Sequence, residues 1–475
     1  MEDLYQIDQE YRNHLSTVDS KGKRVWVYPK KPQGRFHTYR IVVAIILLAL
    51  LFMGPFVKVG GQPLMLFNIF QRKFIIFGTP FWPQDFHLFA LAFISFVVFI
   101  VLFTVVFGRM WCGWACPQTI FMEMVFRKIE YLIEGDANKQ RRLAQMPWNT
   151  EKILKKVSKH ALFILISLVI SHLVMAYLIG IDQTKELVSH SPAKNLSGFI
   201  ALMFFTFLFY MVFAFLREQV CVAVCPYGRL QGVFLGENSM AVMYDWVRGE
   251  PRGKLKKNQE TPEGQSGDCI DCKRCVHVCP TGIDIRNGTQ LECVNCTACM
   301  DACDYVMERI DRPKGLIRLA SYRSIKDGIK NLINSRVIGY SVILLLLISL
   351  QVYLLTTRIP VETTIVRVPG MLYQEQENNM VSNLYNIQFV NKTFEKKDIK
   401  LRLEDIDGGL IKRVGDESLE VPANGNIEGV FFIEIPRSRI NSAKTSLVIE
   451  IIDENNEVID KVKTSFLGPV DRRRS

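Results

Sequence analysis

The sequence predicts a multi-pass α-helical membrane protein with a cysteine-rich insert and a C-terminal β-sandwich of immunoglobulin type. Three observations carry that reading. Five apolar stretches approach bilayer length, all 12 cysteines fall into three groups, and polarity alternates over about a hundred residues after Thr357.

The chain has 475 residues, 49% of them hydrophobic, and its mean hydropathy is positive. The apolar residues gather in blocks at 41–57, 88–107, 161–181, 196–216 and 337–357, each near the roughly 20 residues a helix needs to cross a bilayer. The first block follows a polar, basic stretch and reads as a retained anchor, not a cleaved leader. The net charge of +11 is placed beside these blocks, which suits orientation of a membrane protein better than binding of nucleic acid. Lys and Arg are frequent before the first block and sparse in the next loop (Lys58, Arg72, Lys73). They are frequent again from Arg109 to Lys159, sparse at Lys185 and Lys194, and frequent from Arg217 to Arg336. By the positive-inside rule, the N-terminal segment and the insert are expected to be cytoplasmic, and an odd number of spans exports the C-terminal region. The expected organisation is a cytoplasmic segment 1–40, four spans within 41–217, a cytoplasmic insert 218–336, a fifth span 337–357 and an exported domain 358–475.

Between the first two spans, Leu64-Met65-Leu66-Phe67 and Phe74-Ile75-Ile76-Phe77 surround Arg72-Lys73. This segment is too short to span and is expected to lie at the membrane interface. Beyond Thr357, 384–389, 399–403 and 447–451 alternate as strands do. Asp407-Gly408-Gly409, Asn424-Gly425 and Glu454-Asn455-Asn456 read as turns. No cysteine is available there for a disulfide. Asn391-Lys392-Thr393 is read as a chance match to a glycosylation sequon.

The insert carries Cys269-x2-Cys272-x2-Cys275-x3-Cys279-Pro280 and then Cys293-x2-Cys296-x2-Cys299-x3-Cys303. Such runs hold [4Fe-4S] clusters, with the fourth cysteine of each run ligating the other run's cluster. One cluster is therefore assigned to Cys269, Cys272, Cys275 and Cys303, the other to Cys293, Cys296, Cys299 and Cys279. The insert is thus a two-cluster ferredoxin-like domain. Zinc also takes four cysteines, but the doubled x2-x2-x3 spacing favours clusters. Asp304, not proline, follows the second run. Lys273, Arg274 and His277 are read first as solvated surface and second as a dock for a redox donor.

Two further pairs, Cys112-x3-Cys116-Pro117 and Cys221-x3-Cys225-Pro226, close the second and fourth spans. On a helix, i and i+4 share a face, so each pair is expected to present both sulfurs together. Thiolates are soft ligands that select Cu(I); structural packing and reversible disulfide chemistry are the alternatives. Met122 and Met124 point to different sides of a helix, so one at most adds a thioether. His87 and His172 are read as packing residues before haem ligands. There is no phosphate loop, nucleotide fingerprint or hydrolytic triad.

This order of spans, two Cys-x3-Cys-Pro motifs, a double cysteine insert, a last span and an exported β-domain resembles the cytochrome c oxidase accessory family CcoG, also called FixG or RdxA. Phe81-Trp82-Pro83-Gln84-Asp85 is similar to that family as well. The resemblance implies a bacterial inner-membrane protein that assists assembly of cbb3-type oxidases and reduces Cu(II) to Cu(I). Cys112, Cys116, Cys221 and Cys225 would then be the copper or redox residues. The implied partners are copper-transport and oxidase-assembly proteins and a cytoplasmic electron donor. Two other classes stay open at this point: a quinol-oxidising subunit feeding a respiratory reductase, and a scaffold whose clusters sense redox state.

Overall fold

The computed structural model describes residues 17–18, 21–59, 62–71, 73–254, 267–329, 331–376, 379–404, 406, 408–415, 419–440, 442–454 and 456–469. Arg12, Arg72, Asp407 and Asn455 lie outside the described residues. The chain divides into two compact units, 1–57 with 90–349 and 58–89 with 350–475.

Among the described residues, five helices are long and apolar enough to cross a membrane: Arg35–Met53, Pro83–Phe107, Thr150–Ile179, Leu196–Leu216 and Ser335–Thr356. Their outward residues are apolar, as a lipid surface requires. Val42, Ile45 and Ile46 of the first are exposed, and no residue of the fifth is buried. In the first unit, the third and fourth spans pack through Phe163, Ile170 and Phe213, with the Phe126 ring stacked on Phe213 at 4.6 Å.

Polar groups at the end of this bundle are paired, as burial demands. Arg217 makes two bonds to Glu130, at 3.1 and 3.0 Å. Lys159 lies 3.0 Å from Glu134, and the fully buried Arg127 lies 3.2 Å from Glu123. Three π-helical segments, Phe121–Phe126, Val212–Leu216 and Val220–Val224, occur in the same region. Such wide turns concentrate at functional sites.

The insert begins and ends on one antiparallel ladder, Ala241–Tyr244 against Ile317–Ala320, so its two ends are adjacent. The helix Ala298–Arg309 reaches from it to the first span. Gly34, ahead of that span, makes no side-chain cap of its own. Instead the Asp301 carboxylate accepts from the Phe36 and His37 amides at 3.1 and 2.8 Å, satisfying donors that every helix start leaves free. A Cβ on Gly34 (φ 145°) would sit 2.3 Å from Asp301, so this approach needs glycine.

The second unit contains an antiparallel sandwich. One sheet runs Leu410–Arg413, Asn426–Pro436, Met380–Asn391, Val361–Arg367; the other runs Lys400–Leu403, Lys444–Ile452, Val458–Leu467. The alternating inward residues Tyr385, Ile387, Phe389, Ile433, Ile449 and Phe466 fill its core. Asn391 is buried and its amide donates to the Glu395 carbonyl at 2.7 Å, so the sequon asparagine serves a turn.

The aromatic segment between the first two spans forms a three-stranded meander, Met65–Asn68, Lys73–Ile76 and Thr79–Phe81. Its period-two alternation, which buries Ile75 and leaves Phe77 out, is the strand signal that length alone hid. The motif ending in Asp85 also gains a reason. Asp85 is buried and pairs with Arg358 and Lys392, both at 2.6 Å, while Lys392 also meets Glu362 at 2.6 Å.

Candidate functional site

The two cysteine runs of the insert fold alike. Asp271 (φ 49°) and Lys273 (φ 54°) flank Cys272, and Asn295 (φ 51°) and Thr297 (φ 62°) flank Cys296. A left-handed residue other than glycine costs about 1–2 kcal/mol, so its recurrence at equivalent positions marks a backbone shaped for a purpose. Alternating right- and left-handed residues turn successive N–H groups into a concavity for anions, a device common at iron–sulfur sites.

Two cavities of about 350 Å³ follow from these loops. One is lined by Cys269, Cys272, Cys275 and Cys303, the other by Cys275, Cys279, Cys293, Cys296 and Cys299. The fourth cysteine of each run lines the cavity of the other, and Cys275 lines both. Burial pushes the Cys275 and Cys293 thiols up to about 12 and Cys296 to about 11, so a bound cation must displace their protons. The first cavity has an exposed edge at Cys272, beside exposed Lys273 and His277. Arg274 lies 4.5 Å over the Tyr305 ring there.

The Cys-x3-Cys pairs do not share helix faces as expected. Cys112 lies in the short helix Met110–Trp114, but Cys116 is extended (φ −64°, ψ 125°). Cys221 lies in the π-helical turn Val220–Val224, and Cys225 is again extended (φ −68°, ψ 114°). The following prolines, Pro117 and Pro226, explain this: a residue before proline is driven out of the helical region. The two pairs lie near enough to act on each other electrostatically. Burial is the main cause lifting Cys221 to about 12, and the neighbouring Cys116 and Cys112 add to it. Burial likewise lifts Cys112 to about 11 against a hydrogen bond from Gln231, whose Nε2 donates to the Cys112 sulfur at 3.3 Å.

These pairs press on the second cavity. Cys112 and Cys221 pack against Val278, Val294, Cys296 and Ala298. A Cβ on Gly113 would stand 2.4 Å from the Val294 carbonyl oxygen, so only glycine lets the Cys112 turn approach the Cys293–Cys296 loop. A third cavity of about 330 Å³ is lined by Met122, Glu123, Glu218 and Cys221 on one side and Pro280, Thr281 and Val294 on the other. Those last three residues also line the second cysteine cavity, so one thin wall separates the two. Met122 lines this space and Met124 another cavity. His172 is bonded through Nδ1 to the Leu168 carbonyl at 2.8 Å, and His87 is exposed.

Sequence reasoning passed over Gly113, Gln231, Arg40 and Arg109. Arg40 is buried and donates from Nε to the Gly113 carbonyl at 3.0 Å; Arg109, also buried, donates to the Gly228 carbonyl. A signal for Arg109 existed: it ends an apolar span just before Cys112, as Arg217 does before Cys221.

Residues 216–322 match a family described as a 4Fe-4S dicluster domain, and 89–134 match one described as a 4Fe-4S binding domain. With five apolar helices, these define a membrane iron–sulfur electron-transfer protein. Residues 351–469 match a family described as an IG-like fold at the C-terminus of FixG. The chain is 30% identical to Protein RdxA of Cereibacter sphaeroides over 94% of its length and 98% of the relative's. It is 32% identical to Protein RdxB of the same organism, covering 80% and 82%. It is 35% identical to Nitrogen fixation protein FixG of Rhizobium meliloti over 65% of this chain, a match spanning 59% of that relative. The chain belongs to the FixG/RdxA family.

Proposed function

We propose that this protein reduces Cu(II) to Cu(I) at the membrane edge, for assembly of cbb3-type cytochrome c oxidase. In this reading Cys269, Cys272, Cys275 and Cys303 hold one [4Fe-4S] cluster and Cys279, Cys293, Cys296 and Cys299 the other. The clusters supply one-electron chemistry. Each Cu(II) takes one electron and leaves as Cu(I), and a cytoplasmic donor restores the electron. Cys112, Cys116, Cys221 and Cys225 take copper as substrate, with Met122 adding a thioether; sulfur ligands favour the reduced ion.

The observation that carries this is the wall of Pro280, Thr281 and Val294 shared by the second cysteine cavity and the Cys221–Met122 cavity. The N-terminal segment and insert are taken as cytoplasmic and the domain 358–475 as periplasmic, where it docks an assembly partner. Copper-transport and oxidase-assembly proteins are the proposed partners.

The test is anaerobic addition of Cu(II) to protein with reduced clusters, following cluster absorbance and Cu(I) together. Stoichiometric Cu(I) formation is expected, lost when the four cysteines become Ser while cluster absorbance persists. Cluster reduction by quinol with no response to copper would overturn the proposal in favour of a respiratory subunit. A third cluster's worth of iron, lost in the same variant, would overturn the copper assignment alone.

A further inference from the structure

A fourth cavity, of about 320 Å³, is unlike the others. It lies where the first span begins, between that helix and the segment following Pro117, and is lined by Lys31, His37, Arg40, Lys128, Tyr131 and Glu123 among others. The only acidic group among its lining residues, Glu123, is paired with Arg127 at 3.2 Å. Three cations therefore face the space with little opposing charge. Lys31 and Lys128 are exposed at its mouth, and partial burial with the proximity of Lys31 holds the Lys128 ammonium below its ordinary pKa. The buried Nδ1 of His37 has no hydrogen-bond partner. Asp136 accepts from the Lys31 amide at 2.9 Å but does not line the cavity.

We propose that this cavity binds the phosphate headgroup of an anionic phospholipid. Basic pockets at the ends of spanning helices take such headgroups. Lipid is favoured over free phosphate because the same helix carries exposed Val42, Ile45 and Ile46, a surface for the acyl chains within about two turns of Arg40. The site also reaches the redox centre. Arg40 lines the cavity and bonds to Gly113, whose neighbour across the interface is Val294, between Cys293 and Cys296. A positive charge beside a cluster favours its reduced form, so a bound anion lowers the potential of the second cluster and makes it the stronger reductant.

The test uses delipidated full-length protein titrated with phosphatidylglycerol or phosphatidylcholine and read by native mass spectrometry. Each lysine near a headgroup contributes about fivefold in affinity, so the double variant K31Q/K128Q is expected to bind phosphatidylglycerol roughly 25-fold more weakly. Phosphatidylcholine should bind both proteins alike, and K139Q, an exposed control, should match the wild type. Displacement of phosphatidylglycerol by inorganic phosphate in the wild type alone also supports the anion site, and phosphate binding with no lipid preference assigns free phosphate as the source. Equal phosphatidylglycerol binding by wild type and K31Q/K128Q, with unchanged cluster absorbance, overturns the proposal. As a second readout, potentiometric titration in phosphatidylglycerol nanodiscs should give a lower second-cluster potential than in phosphatidylcholine for the wild type only.

Discussion

The two cysteine runs are near copies in local backbone, yet their surroundings differ. The first has an exposed edge at Cys272 and a buried cation, Arg286, bonded to Asp271 and Asp284 at 2.6 Å each. The second is covered by the turns that bear Cys112 and Cys221, with Gly113 against its loop. Matching local geometry thus meets unlike surroundings. On the function proposed above, the open run would receive the electron from a soluble donor and the covered run would deliver it.

Five substitutions would break or sharpen that contrast. The largest effect is expected from Cys296→Ser, which should abolish formation of Cu(I) in a single-turnover assay while leaving the first cluster's paramagnetic signal. Cys272→Ser, given a strong chemical reductant, should still form Cu(I). Copper reduction at the wild-type rate by the Cys296 variant would end the idea of an ordered route.

Next, Gly113→Ala forces a methyl group toward the Val294 carbonyl, where backbone faces backbone and neither yields easily. Overpacking of this kind costs about 3 kcal/mol, measurable as a lower thermal midpoint for loss of cluster absorbance. Arg286→Met should cost about 2 kcal/mol by leaving Asp271 and Asp284 without their charged donor, and only the first cluster's potential should fall. Smallest, Lys273→Gly should stabilise the insert by about 1 kcal/mol by relieving its left-handed backbone, visible in the same thermal assay with no change in copper reduction.

Legibility in the sequence followed the range of the interaction. The iron–sulfur character of the insert was readable because the cysteine spacing is local, and the five spans because apolar length is local too. The sandwich strands announced themselves by alternation. Helical spacing misled at Cys112 and Cys221 because Pro117 and Pro226 overrule it one residue upstream. The meander at Met65–Phe81 was not read as strands because each run is only three or four residues long. Gly113 and Arg40 were not legible at all. Their roles depend on Val294 and on each other, residues far apart in the chain that only packing brings together.

The cap on the first span has a consequence for biosynthesis. Its amides at Phe36 and His37 emerge early from the ribosome, but the carboxylate that receives them is Asp301, 265 residues beyond Phe36. At the usual pace of translation that is a wait of roughly 15–50 s. Until then the start of the helix has only water for a partner, so its final seating awaits synthesis of the insert. A chain truncated before Asp301 can thread its first helix but cannot lock it, which makes completion of the insert a checkpoint for the membrane domain as well as for the metal clusters.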